Sequence, residues 1–380
     1  MENSNHQTIL SRTIVIVTSI LVFLLSIELM GISINEMTGG MVESISTVTA
    51  NPFIGLFIGL LSTALLQSSS TTTSITVATV ASGALSLQNA IPIVLGANIG
   101  TTITSTIISM SYISKHKEFR RAVAAGTSHD FFNILTVLLL FPFEIKYHFL
   151  ERISAHISSS IHISTEYTAT WKSFGITSIF ESFSEWIVSV FGPLLTLLLG
   201  IILLFACIKF ISKWLYKSLI GRTKDQFENV VFKNKYRAFG WGLVITSVAQ
   251  SSSLTTSLIV PLVATGKVKI KKAFQFILGA NIGTTITALL AAIFQSEAAI
   301  SLAIVHLLFN LTGVLVFFTV PYLSKVPVYL AKKMGTLTTR VRLVGFAYIF
   351  LAFFLLPFTL IYISQSTEKS TDPVEVRTED

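Results

Sequence analysis

The chain has 380 residues, of which 52% are hydrophobic and only 12% charged, with mean hydropathy +0.73. Soluble domains carry about a quarter charged residues, so this composition excludes an ordinary water-soluble globule and predicts a lipid-facing surface. The net charge of +8 does not predict nucleic-acid binding, because the basic residues sit in short segments between apolar runs.

Taken in chain order, apolar runs long enough to cross a bilayer core of about 30 Å at 1.5 Å per residue occur at Ile14–Ile34, Ile91–Ser111, Ala122–Phe143, Ile187–Ile211, Ala273–Phe294, Ala298–Pro321 and Val344–Ile363. The first follows Arg12 and superficially resembles a signal peptide. It is too long and lacks a small-x-small cleavage site, so it reads as a retained helix. Two regions break the pattern. Phe53–Leu66 and Thr71–Leu85 flank Gln67-Ser68-Ser69-Ser70, and Gly240–Ala249 and Leu254–Thr265 flank Gln250-Ser251-Ser252-Ser253. Each arm is too short to cross alone and predicts a re-entrant hairpin.

Basic residues test that reading, because cytoplasmic loops are enriched in lysine and arginine. With hairpins and an inner N-terminus, 22 of the 27 basic residues fall inside, in groups around Arg12, Lys115–Arg121, Lys209–Arg237, Lys267–Lys272 and Lys325–Arg342. Single crossings would put the basic runs at 209–238 and 267–272 on opposite sides. The predicted topology therefore has a cytoplasmic N-terminus, an outer C-terminus and a cell-membrane location. The lone Cys207 permits no internal disulfide and reads as lipid-facing or packed.

Leu95–Thr104 and Leu278–Thr287 both read LGANIGTTIT. The offset of 183 also relates Gln67 to Gln250 and Gly83 to Gly266, and 25 of 46 positions from Gly59 to Thr104 recur from Gly242 to Thr287. That is a duplication. His129-x-x-Phe132-Asn133 recurs as His306-x-x-Phe309-Asn310. Each repeat reads as one helix, one hairpin and two helices. Three crossings separate their starts, so the second is inverted, as in many secondary transporters. The expected fold is an all-α integral membrane protein with two inverted-topology repeats. Repeat 1 spans 1–145 and an extracellular loop 146–186. Repeat 2 spans 187–323, followed by a cytoplasmic link with a final transmembrane helix (324–363) and a polar, disordered tail (364–380).

Polar QSSS turns on apolar arms are tolerated at membrane depth only beside protein or water. Serine hydroxyls and the unpaired N–H groups of the following half-helix suit an anion, which assigns Ser68, Ser69, Ser70, Ser251, Ser252 and Ser253 to an anionic substrate. Free carbonyls and amide oxygens at Gln67 and Gln250, with Asn98, Thr101, Thr102, Asn281, Thr284 and Thr285, suit a hard monovalent cation. No lysine or arginine lies in the hairpins' membrane parts, so a travelling cation must neutralise the anion. Sodium is the expected co-transported ion. Flanking Thr73, Ser74, Thr76 and Ser105 read as packing. His129 and His306 suggest a shared structural task, such as bonding the hairpin backbone. Asp130 is expected to pair near His129 or with an inner-loop cation, and Glu28 to reach the interface.

The two QSSS turns, each followed by G-x-N-I-G-T, and the F-R-R-A…H-D-F-F-N stretch over Phe119–Asn133 resemble the type II sodium–phosphate cotransporters in their short bacterial form. The resemblance covers roughly residues 50–145 and 235–325. It implies uptake of divalent inorganic phosphate with sodium, the QSSS serines on phosphate and the glutamines and threonines on sodium. Animal members have a cysteine-bridged outer loop, absent here. Electrogenic members have an aspartate before the FRRA stretch, where this chain reads Ser114-Lys115-His116-Lys117-Glu118. A relative with a fused PhoU-like domain exports phosphate; no such domain follows here, which favours import. The alternative cargo is a dicarboxylate, although carriers of that kind usually show Ser-Asn-Thr at the tips. An enzyme is not expected, since duplicated serine triplets do not single out one nucleophile.

Overall fold

A computed structural model describes residues 2–37, 47–160, 176–220, 230–293 and 295–371. These residues are helical throughout their regular structure, with no strand among them. Segments longer than a bilayer core occur at Leu87–Met110, His116–Tyr147, Ile270–Ala292, Glu297–Thr319 and Leu343–Ile363. This is the build of a helical membrane protein. The last span is peripheral: 17% of its most apolar stretch is buried, against 83% for Leu87–Met110.

The elements begin with α1 (Glu2–Glu36), which contains the predicted span Ile14–Ile34. Two short helices follow, α2 (Pro52–Leu66) and α3 (Ser69–Ala81). Then come α4 (Leu87–Gly100), α5 (Ile103–Met110), α6 (His116–Tyr147) and α7 (Phe149–Ser160). Next are α8 (Ile176–Phe191) and α9 (Pro193–Ile220). The second short pair is α10 (Lys235–Ala249) and α11 (Ser252–Ser257), continued by α12 (Ile259–Ala264). The rest are α13 (Ile270–Ala292), α14 (Glu297–Thr319), α15 (Lys325–Arg340), α16 (Leu343–Phe350), a π-helical turn Leu351–Leu355 and α17 (Leu356–Thr371).

The structure gives four predicted segments a more definite form. The run Ile187–Ile211 is not one helix: Gly192 adopts φ +76° and Pro193 opens a new helix. Proline at the first helical position needs no N–H, which is why the break falls there. Within the predicted link after 324, α15 packs on α6. Part of the loop 146–186 is the helix α7, which packs on α14, and Ser158 Oγ donates to Glu297 O at 3.3 Å. The helical run also continues past Ser364 to Thr371. The remainder of the predicted tail, and the stretches 161–175 and 221–229 of two predicted loops, lie outside the described residues.

Lipid offers little hydrophobic drive for helix association, so close backbone approach matters more than in water. Both repeats achieve it with glycine at matching positions. A Cβ at Gly59 would lie 1.9 Å from Ile93 O, and at Gly96 1.8 Å from Leu56 O. A Cβ at Gly242 would lie 2.0 Å from Phe276 O, and at Gly279 1.9 Å from Phe239 O. At offset 183 these are the same contacts, so α2 seats on α4 as α10 seats on α13. The large apolar cluster that includes Ile27, Leu60, Val77, Leu95 and Phe309 draws on both repeats.

Candidate functional site

Both short pairs break at the same chemistry. Gln67 (φ 54°, ψ 28°) and Gln250 (φ 50°, ψ 25°) take left-handed backbone conformations. Among the described residues the one other non-glycine residue with positive φ is His148. Left-handed backbone is uncommon for a residue with a Cβ, and finding it at both glutamines marks the turns as built features. The next residue is extended and caps the following helix. Ser68 Oγ accepts from Thr71 N at 3.2 Å, and Ser251 Oγ accepts from Leu254 N at 3.3 Å. A serine cap satisfies one of the orphan N–H groups. In the first pair, Thr63 Oγ1 also donates to Thr72 Oγ1 at 2.9 Å, which ties the two arms together.

The two turns touch. Ser70 Oγ donates to Gln250 O at 3.0 Å, and Ser253 Oγ donates to Gln67 O at 3.3 Å. The bonds are reciprocal across the duplication. Ser69 and Ser252, 4% and 3% exposed, take no part in the caps or the crossing bonds.

The remaining predicted site residues lie on α4, the turn that follows it, and α13. Thr101 and Thr284 donate to Ala97 O and Ala280 O, both at 3.0 Å; Thr102 and Thr285 donate to Ile99 O at 2.8 Å and Ile282 O at 2.7 Å. With their protons committed to the helix, these hydroxyl oxygens keep lone pairs. Among the described residues no hydrogen bond joins them to the QSSS turns. The helices cross, however: α3 packs on α13, and α11 packs on both α5 and α13.

The asparagines are engaged elsewhere, in a crossing of their own. His129 Nε2 donates to the amide oxygen of Asn281 at 2.7 Å, and His306 Nε2 to that of Asn98 at 3.2 Å. An amide oxygen only accepts, which fixes the proton on Nε2 in each histidine. Asn310 Nδ2 also donates to Asn98 Oδ1 at 3.2 Å, and Asn281 Nδ2 to Asn133 Oδ1 at 3.2 Å. Asn133 Nδ2 reaches Asn98 O at 2.6 Å. The histidines therefore bond the other repeat's GANIG asparagine rather than the hairpin backbone. Asp130 pairs with neither a cation nor its neighbours. Its carboxylate accepts from Thr106 Oγ1 at 3.0 and 3.2 Å and from Tyr348 Oη at 2.9 Å. Tyr348 lies in the final span, outside the duplication, and nothing in that apolar run singled it out. Glu28 is half-buried on α1. Cys207 is packed, its Sγ donating to Ser19 O at 3.0 Å.

The sequence assigned flanking hydroxyls to packing, and the structure separates them. Thr76 donates to Thr72 O at 2.8 Å, and Ser105 Oγ meets Thr256 Oγ1 at 3.0 Å. Thr73 Oγ1 and Ser74 Oγ, one turn behind Ser69 and Ser70, are buried without a hydrogen-bond partner.

These features define the class: a helical membrane protein with a buried polar centre where two broken-helix turns meet. A sequence model of the Na+/Pi-cotransporter family matches residues 22–143 and 202–357, and the chain belongs to that family. It is 30% identical to the Pongo abelii sodium-dependent phosphate transport protein 2B over 93% of this chain and 66% of that protein. The Homo sapiens protein of the same name is 29% identical over 93% and 65%. Sodium-dependent phosphate transport protein 2A of Rattus norvegicus is 31% identical over 84% and 62%. The chain thus spans somewhat less than two thirds of the length of these curated relatives. No solved structure matches it.

Proposed function

We propose that this chain is a sodium-coupled symporter that imports inorganic phosphate by alternating access. In this reading each QSSS turn is the tip of a re-entrant hairpin, and the two repeats are inverted across the membrane. The observation that carries the reading is the reciprocal pair of bonds from Ser70 to Gln250 O and from Ser253 to Gln67 O. Family membership and the names of the relatives supply the cargo.

The crossing bonds suggest how coupling arises. Each one occupies a hydroxyl proton that an anion would need and a carbonyl oxygen that a cation would need. Breaking the pair releases both at once. Ser70 and Ser253 then turn their protons toward phosphate, joined by Ser69, Ser252 and the half-helix N–H groups, while Ser68 and Ser251 keep the turns shaped. The freed carbonyls of Gln67 and Gln250 face sodium, with lone pairs from Thr101, Thr102, Thr284 and Thr285 and the orphaned hydroxyls Thr73 and Ser74. Neither ion alone fully compensates the lost bonds. A dianion without sodium leaves carbonyls bare, and sodium without the dianion leaves charge in a low-dielectric centre. Asn98 and Asn281 join the sodium shell only where the histidine crossing opens. Until then they hold the two repeats in register.

The test is uptake of labelled phosphate into proteoliposomes. It should require an inward sodium gradient and be insensitive to excess succinate. Equal uptake driven by potassium or by a proton gradient sinks the coupling, and competition by succinate moves the cargo to dicarboxylates.

A further inference from the structure

The turns that close the bases of the two short pairs have diverged in one respect. Both use glycine in a left-handed conformation, Gly83 at φ 77° and Gly266 at φ 82°. Beyond them, Ala84, Ser86, Gln88 and Asn89 of the first repeat correspond at offset 183 to Lys267, Lys269, Lys271 and Lys272 of the second. Four lysines stand where the other copy has none.

Lys272 has a structural use, its Nζ donating to Phe232 O at 2.6 Å. Lys269 and Lys271 instead line a cavity of 790 Å³, together with Arg120 and Arg121 from α6 and Lys332 from α15. The lining includes Val263, Val268 and Ile270 and, among the described residues, no carboxylate. Three separate segments supply the five cations, and tight contacts hold those segments together. The Arg121 guanidinium rests against Gly266, where a Cβ would sit 2.7 Å from its Nη1. Gly335 lets α15 press on α6, since a Cβ there would sit 2.4 Å from Arg120 O. At the base of the first pair the cavity is 60 Å³, and Gln88, Asn89, Glu144 and His148 are among its lining residues.

Enrichment of lysine on a cytoplasmic face accounts for the number of cations. It does not account for their convergence on one concavity with no acid among its described walls. Cations gathered this way repel one another, and an anion that enters relieves that repulsion. Lysine supplies point charge and arginine a planar fork, and both suit phosphate oxygens. We propose that this cavity is a second anion site, separate from the QSSS turns, which binds a phosphate group: free inorganic phosphate, or the headgroup phosphate of an anionic lipid. Its occupant ties the base of the second pair to α6 and α15. Its regulatory meaning, a brake set by the anion on the predicted inner face, rests on the transport reading above, whereas its existence does not.

The experiment reads binding, not transport. Thr336, an exposed residue on the cavity wall, is replaced as Thr336→Cys in a Cys207→Ala background, and its modification by a neutral maleimide is timed in nanodiscs. One arm uses phosphatidylcholine alone and titrates inorganic phosphate against chloride at equal ionic strength. The other adds phosphatidylglycerol and no phosphate. Labelling should slow by the factor 1 + [L]/Kd, about fourfold at three times Kd. Slowing in the first arm identifies free phosphate, and slowing in the second alone identifies the lipid headgroup. The effect should vanish in Lys269→Gln/Lys332→Gln and, as an independent variant, weaken in Lys271→Gln, with elution volume unchanged. It should persist in Ser69→Ala/Ser252→Ala. The proposal is overturned by no slowing in either arm, by slowing that survives the lysine changes, or by slowing lost with the serine changes. If uptake fails while this protection stands, the transport reading falls and the anion site remains.

Discussion

The two QSSS turns agree where they meet and differ one turn behind. Their glutamines match within a few degrees, and so do their caps, Ser68 at φ −150°, ψ 100° and Ser251 at φ −147°, ψ 104°. Behind the second turn, Thr256 Oγ1 donates to Ser252 O at 2.8 Å and Ser257 Oγ to Ser253 O at 2.5 Å. Behind the first, the equivalent Thr73 and Ser74 hydroxyls are buried and unpartnered. A buried orphan costs about 1–3 kcal/mol. The duplication has held the meeting surface fixed, while one turn carries unmet hydrogen-bonding capacity that its copy has satisfied. On the proposed reading, the symmetric part is what both ions meet. The asymmetry runs both ways, since Thr246 Oγ1 is unpartnered in the second repeat where the equivalent Thr63 Oγ1 donates to Thr72 Oγ1 in the first.

The largest effect should come from the packing that both repeats share. Gly96→Ala and Gly279→Ala each place a methyl within 2 Å of a carbonyl oxygen of the facing helix. Backbone cannot yield by that much locally, so both variants should fail to give folded protein, measured by monodisperse elution after solubilisation. One variant folding normally would show that the repeats pack differently.

Next come the shared serines. If the proposed phosphate site is right, Ser69→Ala and Ser252→Ala should each delete a charge-assisted hydrogen bond worth about 1.5–3 kcal/mol, a loss of roughly 10- to 150-fold in apparent phosphate affinity. The two should be alike, with expression intact. A dead first turn beside a fully working second one would break the common site and leave the second turn a relic.

The smallest effect sharpens the asymmetry. Thr73→Val removes an orphaned hydroxyl at nearly constant shape, so thermal stability should hold or rise slightly, while the sodium dependence of uptake shifts to higher concentration. Thr256→Val breaks existing bonds to Ser252 O and Ser105, so stability should fall by about 1 kcal/mol. Sodium dependence unchanged in Thr73→Val would return that residue to packing.

The broken arms and the duplication were legible because they are local or self-referential. Gln67–Ser70 interrupts an apolar run, and an offset of 183 is visible without any fold. The break at Gly192 was hidden because apolar residues continue on both sides of it, and α15 was hidden because its lysines read as loop charge. The histidine–asparagine crossing joins residues 152 and 208 positions apart. Periodicity carries no register between elements so distant, so the histidines could be singled out as intramembrane polar groups but not assigned partners. Tyr348 gave no signal at all, since its hydroxyl matters only once α16, packed on α5, brings it to Asp130.

That crossing also bears on biosynthesis. A ribosome delivers His129, Asp130 and Asn133 to the membrane long before Asn281 and Tyr348 exist. During that interval the first half holds an imidazole and an acid in an apolar setting, with Thr106 as the acid's early companion. Each half was once sufficient as a pattern for copying, yet neither is now self-sufficient as a product. Asp130 gains its second hydroxyl partner only when synthesis has passed Tyr348.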